Sequence, residues 1–120
     1  MTRILVVDDS ALARRMLSTL LSGAGYEVLE AEDGDVALEQ YFLNKPDLVM
    51  LDLVMRGLNG LELLTKLKEL DPSARVVVAT ADIQDLTRQM VMEHGAKGYV
   101  TKPFKASEVL NAVAAALKEV

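Results

Sequence analysis

The stretch RILVVDD, residues 3–9, decides the fold. Ile4, Leu5, Val6 and Val7 form an apolar run without alternation, the pattern of a strand covered on both faces. The run stops at Asp8 and Asp9, so both carboxylates fall at the C-terminal tip of the strand. Residues 47–52, DLVMLD, repeat the pattern and end in Asp52. In an open α/β sheet such tips share one crevice, the usual ligand site of the architecture. Three carboxylates crowded there repel one another, and a divalent cation is the simplest relief. The pattern predicts a hard-metal site of oxygen ligands.

Working outward, apolar runs alternate five times with amphipathic segments. The strands are predicted at residues 3–8, Glu27–Ala31, 47–51, 75–80 and Gly98–Thr101. The first helix has Ser10 as N-cap, a stripe of Leu12, Met16, Leu17, Leu20 and Leu21, and Gly23 or Gly25 as its end. The second covers residues 34–43 and is stopped by Asn44-Lys45-Pro46. The third, Gly60–Leu70, turns Leu61, Leu64 and Leu67 to one face before Asp71-Pro72. The fourth is predicted at residues 83–94, closed by Gly95, and the fifth starts near Ala106-Ser107 with Val109, Leu110, Val113 and Leu117 on one stripe. Connections this short require parallel strands and right-handed crossovers, hence an α/β, doubly wound five-stranded parallel sheet.

Bulk properties narrow the function. A chain of 120 residues is expected to form a single domain, residues 1–120, large enough for a real core. With 51% hydrophobic but only 4% aromatic residues, that core is aliphatic. Eighteen acidic against 13 basic residues give a net charge of −5, which argues against nonspecific nucleic-acid binding. The sequence has no cysteine, so thiol catalysis and thiolate metal sites are excluded. No export signal or membrane span is legible, and a cytoplasmic protein without membrane insertion is expected.

Placed at strand tips, Asp8-Asp9, Asp52, Thr80 and Lys102 converge. In their settings VVDDS, LVMLDL, VVVATA and GYVTKPF, they closely resemble the receiver domain of two-component response regulators, along the whole chain. Asp-Asp alone is a weak signal, whereas the ordered set at successive strand ends is a strong one. The resemblance implies a flavodoxin-like (βα)5 fold with strand order 2-1-3-4-5. It implies that Asp52 accepts a phosphoryl group from a sensor histidine kinase and becomes a transient acyl phosphate. Mg2+ would be held by Asp9, Asp52 and the backbone carbonyl of Val54, with Asp8 acting through water. Lys102 would pair with Asp52 and later with the phosphoryl oxygens, and its bond to Pro103 is expected to be cis. Thr80 and Tyr99 would form the switch, the hydroxyl moving toward the phosphoryl group and the ring turning inward.

Other positions are less legible. Arg56 stands where many receivers have proline and is expected in solvent. Gly60 is expected to give backbone freedom at the turn into the third helix, and the resemblance implies that Val54 and Asp82 flank the phosphoryl group. His94 is read as a cap or surface residue and the methionines as core filling. Ile83, Leu86, Met90, Val91 and Met92 of the fourth helix exceed one core stripe, and Ala112, Ala115 and Ala116 are expected exposed on the fifth. These two helices, with the last strand, are expected to meet a separate downstream protein. The resulting expectation is a stand-alone, chemotaxis-regulator-like receiver that is not an enzyme beyond its own phosphorylation and dephosphorylation. Alternatives are a receiver-like module that binds without phosphorylation, an aspartyl-phosphate hydrolase, disfavoured by the adjacent Asp8-Asp9 and the missing cap, and a flavodoxin-like cofactor binder, whose phosphate those acids would repel.

Overall fold

The computed structural model describes residues 1–54, 59–81 and 84–118. Five strands and five helices alternate: β1 (Arg3–Val7), α1 (Ala11–Gly23), β2 (Glu27–Ala31), α2 (Gly34–Asn44), β3 (Leu48–Leu51), α3 (Gly60–Leu70), β4 (Val76–Thr80), α4 (Asp85–Glu93), β5 (Gly98–Thr101) and α5 (Ala106–Lys118). All strand pairings are parallel. The order is β2-β1-β3-β4-β5, the expected doubly wound arrangement.

Side chains alternate across the sheet and both faces are buried. Leu5, Val7, Val49, Leu51, Val76 and Val78 pack with Ala37 and Tyr41 of α2, Leu63, Leu64 and Leu67 of α3, and Val91 of α4. Ile4, Val6, Leu48, Met50, Val77, Ala79 and Val100 face Leu17 and Leu21 of α1 and Val109, Val113 and Ala116 of α5. This explains why the inner strands read as unbroken apolar runs.

The helices begin and end largely where capping chemistry directs. The hydroxyl of Ser10 accepts from the Ala13 amide, Asp33 caps α2 through the Val36 amide, and Asn59 caps α3 through the Glu62 amide. Gly25 and Gly95, at φ +95° and +100°, supply the left-handed turns after α1 and α4.

Several expectations need correction. Leu12 and Met16 do not join the α1 core stripe, being 69% and 47% exposed; Ala13, Leu17 and Leu21 form it. Helical spacing placed them beside that stripe, and with Met90 and Met92 also exposed and only Met50 buried among the described residues, the methionines are not chiefly core filling. Ala116 is fully buried rather than exposed, because it follows Val109 and Val113 on the α5 seam. The fourth helix is shorter than predicted: His94 is its C-cap, and Ile83 lies outside the described residues. Only Val91 of α4 is buried. Strands β1, β3 and β4 are each one residue shorter than predicted, which leaves Asp8, Asp47 and Arg75 flanking them.

Candidate functional site

Register alone brings the acids together. Val7 pairs with Leu51 between β1 and β3, so the next residues, Asp8 and Asp52, leave adjacent strands side by side. The sheet order reverses between these strands, and the crevice opens at that switch point. The Asp52 amide still donates to the Val7 carbonyl at 3.0 Å, extending the ladder by one bond to the site itself.

Carboxylate oxygens of Asp8, Asp9 and Asp52 lie within 4.8 Å of one another. Asp8 and Asp52 are only 1% and 5% exposed, whereas Asp9 faces solvent. Burying two acids so close is costly unless positive charge or hydrogen bonds compensate. Lys102 answers part of this cost: its Nζ lies 2.9 Å from both Asp8 Oδ2 and Asp52 Oδ2. Backbone amides contribute further, with Ser10 N donating to Asp8 Oδ1 at 2.9 Å and Val54 N donating to Asp52 Oδ1 at 3.2 Å.

Burial pushes the Asp8 carboxyl above its ordinary range, and the Ser10 amide and Lys102 only partly pull it back. For Lys102, burial works against the charge, but bonds to Asp52 and Asp8 outweigh it and the ammonium is held above its usual pKa. The lysine is therefore a permanent cation at neutral pH.

The donor set suits a hard divalent cation. It consists of oxygen alone, two of the acids are fixed by burial, and the exposure of Asp9 leaves room for the waters that Mg2+ retains.

β4 and β5 deliver the remaining residues. Thr80 ends β4, fully buried, and its carbonyl accepts from the Lys102 amide at 2.8 Å, which anchors the lysine backbone. The bond from Lys102 to Pro103 is cis, as expected. Tyr99 is half-buried on β5, and the Arg88 guanidinium of α4 lies 5.9 Å from its ring centroid. Val54 follows the site with an exposed side chain. Arg56 and Asp82 lie outside the described residues. His94 is exposed, with its Nδ1 2.7 Å from the Met90 carbonyl. Gly60 does more than loosen a turn: a Cβ there would overlap the Asp52 carbonyl oxygen and the Leu53 Cα. The start of α3 therefore packs directly against the backbone that carries Asp52.

One neighbour was not legible in the sequence. Arg14 of α1 donates from Nη1 to the Asp8 backbone carbonyl at 2.6 Å. An arginine in an amphipathic helix ordinarily reads as a solvated residue, and its target here is a main-chain atom that no side-chain motif reveals.

Fold and acid cluster together define a class. The chain belongs to the response regulator receiver domain family, whose model matches residues 4–114. Within that family it is 38% identical over 112 residues to the chemotaxis protein CheY of Thermotoga maritima, covering 92% of this chain and 93% of that protein. It is 39% identical over 112 residues to the chemotaxis protein CheY of Bacillus subtilis, with the same coverage. Among solved structures, it matches the CheX–CheY–BeF3–Mg2+ complex of Borrelia burgdorferi with a TM-score of 0.94 at 27% identity, over 98% of this chain and 90% of that one. The response regulator TrrA of Thermotoga maritima, in complex with Mg2+–BeF, matches with a TM-score of 0.88 at 35% identity, over 97% and 99%.

Proposed function

We propose that the chain is a phosphorylation-controlled binding module that accepts a phosphoryl group from a sensor histidine kinase onto Asp52. The observation that carries this reading is the placement of Lys102 Nζ 2.9 Å from both Asp8 and Asp52 inside a three-carboxylate cluster. A carboxylate oxygen of Asp52 attacks phosphorus and forms the new P–O bond. The P–N bond to the donor imidazole breaks, and its electron pair stays on the ring nitrogen. The Lys102 ammonium stands ready to meet the added negative charge, and little else than positioning and electrostatics is required.

Asp9, Asp52 and the Val54 carbonyl would hold Mg2+, with Asp8 assisting through water. When bound, the ion supplies positive charge to the transferring phosphoryl oxygens. Mg2+ and beryllium fluoride accompany two of the structural relatives, which supports this assignment. Thr80 and Tyr99 form the switch. The Thr80 hydroxyl donates to a phosphoryl oxygen, its loop moves inward, and Tyr99 follows. Water then hydrolyses the acyl phosphate slowly, so the output is binding rather than turnover.

The module acts alone in this reading and signals to a separate protein through α4, β5 and α5. Leu86, Met90 and Met92 give α4 an exposed apolar surface consistent with that use. Similarity to chemotaxis proteins favours a role in taxis. No helix among the described residues is long and apolar enough to cross a membrane, in keeping with a cytoplasmic location.

The test is intact mass spectrometry after incubation with acetyl phosphate and Mg2+. Wild type is expected to gain one phosphoryl group and Asp52→Asn none. A gain in both proteins would show that the acceptor is another residue, and no gain in wild type would refute the function.

A further inference from the structure

Arg14 ties the acidic loop to two neighbouring elements at once. Its Nη1 donates to the Asp8 carbonyl at 2.6 Å, and its Nε lies 3.4 Å from Glu30 Oε1 on β2. The arginine side chain is only 16% exposed, so its guanidinium is packed against the Asp8 carbonyl, while Glu30, 48% exposed, meets it from the solvent side. The next residue of β2, Ala31, accepts the Asp8 amide at 3.2 Å. Both main-chain polar groups of Asp8 are thus fixed, the N–H by β2 and the C=O by an arginine that β2 itself restrains.

The carbonyl held by Arg14 belongs to the peptide plane that joins Asp8 to Asp9. Rotation of that plane would redirect the Asp9 carboxylate, the one exposed acid of the cluster. We propose that Arg14 is a positioning residue for the divalent cation, locking the 8–9 peptide so that Asp9 points into the site. The inference rests on the metal assignment made under the proposed function. Mg2+ demands near-ideal octahedral geometry, so it is sensitive to small errors in ligand direction. Groups that orient ligands from behind commonly change metal affinity by about 10–100-fold when lost. Only a planar guanidinium serves both acceptors in a fixed geometry; lysine offers a mobile point charge.

The experiment is a Mg2+ titration of wild type, Arg14→Met, Arg14→Lys and Glu30→Gln, followed by two-dimensional amide NMR shifts of residues near Asp9. Arg14→Met is expected to bind Mg2+ about tenfold more weakly. Arg14→Lys should fall between it and wild type, and Glu30→Gln, which keeps the Asp8 contact, should lose least. Phosphoryl uptake by Arg14→Met should return to the wild-type extent when Mg2+ is raised to saturation. If Arg14→Met does not fold, Arg14→Lys decides by the same measure. Wild-type Mg2+ affinity in the folded Arg14 variant overturns the inference and leaves the phosphoacceptor reading standing. A wild type that binds no Mg2+ overturns the metal assignment and this inference together.

Discussion

Replacing Lys102 with methionine tests the electrostatics of the site without a large change in volume. At an effective dielectric of about 20, each 2.9 Å contact to Asp8 and Asp52 carries about 6 kcal/mol of gross Coulomb attraction. Desolvation of three charged groups offsets most of that. Removing one partner of a buried pair nevertheless costs about 3–5 kcal/mol, since a charge is left uncompensated. The Lys102 side chain is 24% exposed, so water relieves part of the strain and the low end, about 3 kcal/mol, is expected at pH 7.5.

The pH dependence distinguishes this cause from lost packing. Asp8 already has a raised pKa, from burial first, so its ionised form opposes folding above the ordinary value of 3.8. Without the lysine the pKa rises further, and the variant should recover relative to wild type as pH falls and Asp8 protonates. At the alkaline end, the raised pKa of Lys102 means that its contribution is complete below its ordinary 10.5 and fades above. The two proteins should therefore converge at both extremes. Urea denaturation followed by circular dichroism from pH 4.5 to 11 measures the gap. Adding Asp8→Asn to Lys102→Met should recover a large part of the lost stability at pH 7.5. A gap that is constant with pH, or one that Asp8→Asn does not narrow, would refute the reasoning.

Two further predictions concern packing around the site and away from it. Gly60→Ala should destabilise by at least about 2 kcal/mol, because the added methyl meets backbone at Asp52 and Leu53 that no rotamer can relieve, and the Asp52 amide NMR signal should shift; an unperturbed Asp52 signal with wild-type stability would contradict the close approach. Tyr41→Phe should cost about 1.5 kcal/mol at pH 7, since the Tyr41 hydroxyl donates to Asp71 Oδ2 at 2.6 Å. That bond lowers the Asp71 pKa below its usual 3.8, so the benefit is present above that value and is lost as pH falls through the lowered one. Denaturation curves of the variant and wild type should converge in acid, and a gap that persists there would mean the lost hydroxyl acted by packing.

The sheet was legible because its inner strands are buried on both faces, so Ile4–Val7 and Leu48–Leu51 carry no polar interruption to blur their ends. The acids were legible for the same reason: a charge that follows such a run can only lie at a tip. Neighbouring strands then brought Asp8 and Asp52 together through register, which sequence order does not state but the doubly wound class does. Helix faces were harder. Leu12 and Met16 share the 3.6-residue rhythm of the core stripe, and periodicity cannot tell a core residue from an apolar one just beside it. Small size hid the opposite cases, Ala13 and Ala116, whose alanines give weak hydrophobic signals although both are buried. Arg14 was illegible because its contact is to a main-chain oxygen across a turn, and local composition carries no trace of it.

Strands β2 and β5 border the sheet, and each leaves one row of main-chain donors and acceptors uncovered by a further strand. Such rims invite another polypeptide to add itself and seed aggregates. β5 is only four residues long, and Lys97 and Lys102 flank it. β2 carries Glu27 and Glu30, whose side chains are 41% and 48% exposed and pair with Arg3 and Arg14. A crowded cell would thus find little to template on at either margin, and neutralising Glu27 and Glu30 together is where solubility should begin to fail.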